Sequence, residues 1–161
     1  MKKNAICISG QIRNDTDALT RISKSLEGIE ADIFISVWRK LGTKTFGGAN
    51  GPGHMVRILG PEIASAIPRN WIGRMRDVFP NSENYFPDRG VVSDKMLRRY
   101  FPDATIHIED EETDLTFPYS DSNSYRMLYK IWQCNQMKRE MEKKVGRRYH
   151  RVVRMRPDIS L

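Results

Sequence analysis

Asn4-Ala5-Ile6-Cys7-Ile8-Ser9, running into Gly10-Gln11-Ile12-Arg13, is the stretch whose reading decides the fold. Its apolar residues are continuous rather than alternating. A strand of that kind is buried on both faces, which is the habit of a parallel sheet. Asp15 or Thr16 then caps a helix that carries Ala18, Leu19, Ile22 and Leu26 on one face, and Gly28 ends it. A second strand follows over 32–38 through Ile33-Phe34-Ile35-Ser36-Val37. Strand, helix and strand together have the size of one crossover unit of a parallel sheet.

Working outward, residues 39–60 hold Gly42, Gly47, Gly48, Gly51 and Gly53, and we expect a mobile, glycine-rich loop there. A short helix starts at Pro61 and ends before Pro68. The prolines and asparagines of 69–89 argue for irregular structure. A short helix over 93–100 and a third strand over 105–108 come next. The clearest helix runs from Ser124 to Val145 and stops at Gly146. We expect its stripe of Tyr125, Leu128, Ile131, Trp132, Met137 and Met141 to face the core. A last strand over 150–156 meets Pro157. The expectation is an α/β domain over 1–161 with a mostly parallel sheet flanked by helices.

The 161 residues suit one domain, and no apolar run is long enough to span a bilayer. The net charge is +7, which favours an anionic partner without choosing among nucleic acid, a membrane surface and a phosphorylated substrate. The basic residues gather over 138–156, while 109–121 is acidic. Cys7 and Cys134 form no zinc-ligand spacing and no disulfide framework, so a reducing compartment is expected. The short apolar stretch after Met1 does not make a secretory signal. Together these lead to a cytoplasmic protein.

Ligands of an open parallel sheet bind outside the carboxyl ends of its strands. Two polar groups of residues fall there. In the first, Gly10 permits close backbone approach, Gln11 follows it, and Arg13 can fork onto a phosphate. The same residues also read as an ordinary strand-to-helix turn. In the second, Arg154, Arg156 and Asp158 alternate onto one face of the last strand. They read either as a diphosphate site, with Asp158 holding a divalent cation, or as structural arginines paired with the acidic segment.

Three of these stretches resemble a family. Ser9-Gly10-Gln11-Ile12-Arg13, the helical Tyr125-Arg126-Met127-Leu128-Tyr129-Lys130-Ile131-Trp132-Gln133-Cys134-Asn135, and Tyr149 to Ile159 with Arg154-Met155-Arg156-Pro157-Asp158 are similar to the nucleotide-binding half of GT-A-type glycosyltransferases. The similar enzymes are the polysaccharide-type members of bacteria and large viruses. The resemblance implies a single Rossmann-like GT-A domain that binds a nucleotide-sugar donor. It passes the sugar to a glycan or lipid-linked acceptor, with no nucleic acid as partner and with room for peripheral contact at the inner face of a membrane. Gly10, Gln11, Arg13, Lys130, Arg154 and Arg156 would bind the donor. Asp158 would stand at the aspartate position that holds Mn²⁺ or Mg²⁺.

The match departs from the family in two places. Two residues before Asp158 stands Arg156, where the common motif has a second aspartate. The arginines then take over some of the cation's charge. The family also continues well beyond this aspartate, so the resemblance implies a chain truncated after the DxD-like strand, with no catalytic base to assign. Two alternatives stand beside the enzyme: a nucleotide-binding fragment without turnover, and a basic nucleic-acid-binding module. No helix-turn-helix, RNP or zinc pattern supports the module.

Overall fold

The computed structural model describes residues 2–13, 16–42, 55–56, 59–71, 74, 78, 90–110 and 123–157. They fall into two compact units, 1–42 with 90–161 and 43–89, where the sequence led us to expect one domain. The first unit carries the strands β1 (Asn4–Gly10), β2 (Ala31–Trp38), β3 (Thr105–Glu109) and β4 (Arg151–Met155). All neighbours are parallel and the order is β3-β2-β1-β4. This is the beginning of the doubly wound, Rossmann-like order. The helices of this unit are α1 (Thr16–Ser25), α3 (Asp94–Arg98) and α4 (Asn123–Val145); the second unit carries α2 (Pro61–Ala66).

β1 lies in the middle of this sheet and is buried from Ala5 to Gly10, which is why its apolar run is continuous. Side chains alternate faces along each strand. Ile6 and Ile8 join Ile35 and Val37 on the face covered by α1, through Leu19 and Ile22, and by Leu97 of α3. Ala5, Cys7 and Phe34 lie on the other face with Cys134 of α4. The two connections β1-to-β2 and β3-to-β4 run across the sheet in opposite directions, so crossovers of one hand put α1 and α4 on opposite faces.

Local chemistry sets the ends of these elements. Ser93 accepts the Met96 N–H at 3.1 Å and caps α3. Gly28 and Gly146 take φ of 76° and 71° after α1 and α4, a region other side chains rarely adopt. The proposed cap Asp15 and the side chain of its alternative, Thr16, lie outside the described residues.

The stretch 39–60 is tied in at its ends. The Gly42 N–H donates to Ile12 O at 2.8 Å, the Val92 N–H to Arg39 O at 2.7 Å, and Met55 is buried in the second unit beside Leu59, Ala64, Ile67 and Trp71. The rest of that stretch is outside the described residues. Two expectations need correction. The helix stripe does not wholly face the core, since Leu128 is 58% and Trp132 50% exposed. The buried side of α4 carries Lys130, Cys134 and Lys138 instead. β4 has one neighbour among the described strands and is exposed over 151–154, so its arginines are not buried charges. No described helix is long and apolar enough to cross a membrane.

Candidate functional site

The strand order reverses between β1 and β4, and open parallel sheets bind ligands outside the carboxyl ends of their strands at such a point. Gly10 closes β1 with φ 127°. A Cβ built there would meet Pro157 Cδ at an ordinary 3.7 Å, so the backbone angle, rather than lack of room, calls for glycine. The loop after β1 and the corner after β4 therefore touch, although well over a hundred residues separate them. Arg156 is exposed at that corner, and Arg154 is exposed one turn of the pleat earlier.

The loop is fixed from a third side. Arg13 forms a parallel bridge with Gly42, and Leu41 is bonded to Gly90 O at 3.2 Å. The side chain of Gln11 lies directly on Gly42. Gly10, Gln11 and Arg13 thus occupy one strand end, with Arg156 and Pro157 beside them. Asp158 lies outside the described residues. Among the described residues there is no group of three or more histidine, cysteine, aspartate or glutamate side chains that could hold a metal ion.

A second polar cluster, invisible to the sequence reading, sits where β2 and β3 end beneath α4. Lys130 is fully buried and its Nζ donates to Glu109 Oε2 at 2.6 Å and to Gln133 Oε1 at 3.0 Å. The ammonium stands 4.0 Å from the Trp38 ring centroid. Such a contact adds about 2 kcal/mol when desolvated. The Tyr129 hydroxyl donates to Glu109 Oε1 at 2.8 Å, and its ring stacks on Trp38. Both carboxylate oxygens are thereby satisfied, as a buried charge requires.

This cluster also orients an imidazole. Gln133 Oε1 accepts from Ser36 Oγ at 2.7 Å as well as from Lys130, which turns the amide nitrogen toward His107 Nε2 at 2.8 Å. That nitrogen must accept, so neutral His107 carries its proton on Nδ1. Lys130 is not the solvated helix lysine that its position suggests, nor does its ammonium reach outward to a donor; it is committed to Glu109. The sequence cue was placement alone: Trp38 closes the strand expected over 32–38, and Glu109 follows the one expected over 105–108.

Toward the other end of α4, the Lys138 ammonium bonds Glu142 Oε2 at 2.7 Å, and Glu142 Oε1 accepts the Tyr149 N–H at 3.0 Å. The lysine first, then the Tyr149 amide and Arg148, hold the Glu142 carboxyl below its usual range, against the opposing pull of burial. The Tyr149 hydroxyl donates to Asp32 Oδ2 at 2.7 Å. Burial, then that carboxylate, push its phenol well above the ordinary value. Cys134 donates to Phe34 O at 3.4 Å, and its thiol is pushed up by its hydrogen bond with Cys7 and by burial.

Comparisons with protein-family models, curated proteins and solved structures return no match.

Proposed function

We propose that this chain is the donor-binding domain of a glycosyltransferase, transferring a sugar from a nucleotide-sugar donor to a glycan or lipid-linked acceptor. One observation carries the reading: the Gly10-Gln11-Ile12-Arg13 loop and the Arg156-Pro157 corner meet at the switch point of a parallel sheet. That is where a doubly wound fold receives a nucleotide.

In this reading Gly10 lets the backbone approach the donor, and Gln11, held on Gly42, presents its amide to the nucleoside. Arg13 and Arg156 grip the diphosphate from two sides; Arg154 adds charge from the strand. Breaking the glycosidic bond leaves negative charge on the departing diphosphate, and fixed cations at that position lower the barrier. The Lys130–Glu109 pair does not touch donor in this scheme. It stiffens the neighbouring strand ends on which the loop rests. A divalent cation at Asp158 would add Lewis-acid stabilisation of the same leaving group. The described residues hold no group of three or more histidine, cysteine, aspartate or glutamate side chains for such an ion.

Calorimetry with UDP-, GDP-, CMP- and dTDP-sugars tests the reading. Binding of one nucleotide family, lost together with Arg13 and Arg156, supports it. No binding of any of them overturns it.

A further inference from the structure

The opposite pole of the sheet has a chemistry of its own. In a parallel sheet each crossover helix runs back along the strands, so helix ends and strand beginnings gather at one pole. α4 ends there at Val145, and β4 begins at Arg151 beside the start of β1. The His150 N–H donates to Lys3 O at 2.9 Å and ties the two segments together. This gathers Lys2, Lys3, Lys143, Lys144, Arg148 and Arg151, all exposed, from three parts of the chain.

The carboxylates of that region, exposed Glu140 among them, offset only part of this charge. Asp32 accepts from the Lys2 N–H at 2.9 Å and from Tyr149, and Glu142 is held by Lys138 and Tyr149. Glu27 and Glu30 are exposed on the turn that leads into β2, whose first residue pairs with Asn4, so they share this pole and still leave the cations in excess. Lysines in the last turn suit the negative end of the α4 dipole. The dipole does not account for Lys2, Lys3 or Arg151, which lie on strands or before them.

Two aliphatic side chains stand exposed at the same pole, Ile29 at 49% and Val145 at 42%. Tyr149, the aromatic residue within the basic run, is buried with its ring edge-on to Phe34. Single-stranded nucleic acid asks for exposed rings on which bases stack. Cations mixed with exposed aliphatics suit the headgroup region of an anionic bilayer. We propose that this pole docks on an anionic lipid surface. The docking does not depend on the proposed donor site, which stands at the other ends of the strands and would face away from the lipid.

Sedimentation of the full chain with phosphatidylcholine vesicles, with and without phosphatidylglycerol, tests this at low and high salt. Binding to the anionic vesicles alone, weakened by salt, is expected. The triple variant Lys143→Gln/Lys144→Gln/Arg148→Gln should lose about a hundredfold in partitioning. A charge-matched control, Arg21→Gln/Lys95→Gln/Arg139→Gln, should lose far less. A thermal melt of each variant separates lost binding from lost folding. Failure to sediment with anionic vesicles at low salt overturns the proposal, as does equal loss in the control. Tighter binding to a polynucleotide, abolished by the same triple variant, also overturns it and assigns the pole to nucleic acid.

Discussion

Gln11 lies across Gly42 so closely that a Cβ at residue 42 would stand 2.6 Å from Gln11 Cδ and 2.8 Å from its Cγ and Oε1. The atoms in the way belong to a side chain that can swing aside. Gly42→Ala should therefore leave stability within about 1 kcal/mol of the native protein. It should nevertheless move Gln11 out of the loop. On the proposed reading, nucleotide affinity falls by about tenfold in calorimetry while the melting temperature stays near its native value. Unchanged affinity would remove Gln11 from the site.

Arg13→Ala and Arg156→Ala should each cost about 1.5–3 kcal/mol of nucleoside diphosphate binding, the range for a charged hydrogen bond. If Asp158 holds a cation, Mn²⁺ tightens nucleotide binding in the native chain and not in Asp158→Asn. The comparison is a titration in Mn²⁺ against one in EDTA. An equal Mn²⁺ effect in both proteins would separate Asp158 from the metal.

Lys130→Met should be the most damaging of these substitutions to the fold. It leaves Glu109 buried with its 2.6 Å partner gone. Breaking a buried pair from one side costs about 3–5 kcal/mol. The double variant Lys130→Met/Glu109→Gln should recover a good part of that loss, because the stranded charge has been removed too. Urea unfolding of the four members of this cycle reads the coupling directly; strict additivity would contradict the pairing.

Glu142 makes stability depend on acid in a definite direction. Its folded-state value lies below the ordinary 4.5, so its contribution is fully present above that value and is lost as pH falls through the lower one. Glu142→Gln should thus be less stable than the native chain near neutrality. The gap should narrow progressively as pH falls below that ordinary value. Thermal unfolding across that window measures it, and a gap independent of pH would dismiss the linkage.

Much of the fold could be read from the chain because its strongest local signals agree with its packing. β1 is continuous in apolar residues because it is central, and Gly28 and Gly146 stop helices where their backbone angles demand glycine. The α4 stripe misled because periodicity ranks a side chain by type. Lys130 and Lys138 are buried by carboxylates at 109 and 142, while Leu128 and Trp132 remain outside. A buried ion pair between distant segments leaves no period to detect. The strand-end loop and corner were visible as motifs, but their contact depended on a strand order that no local pattern encodes. The Ser36–Gln133–His107 chain is assembled from three elements and was out of reach for the same reason.

The strand order also sets a schedule for the growing polypeptide. Asn4 pairs with Arg151 and Ile8 with Met155, so the central strand has one of its neighbours only after nearly all of this sequence has been made. At 5–20 residues per second, that wait is on the order of ten seconds. Meanwhile β1, the most apolar strand, offers an open edge and can be flanked by β2 alone. Such distant pairing is slow to form because the chain must be closed over its full length before the contact stabilises it. The nascent chain is open to misassociation along that one edge of β1 until β4 arrives.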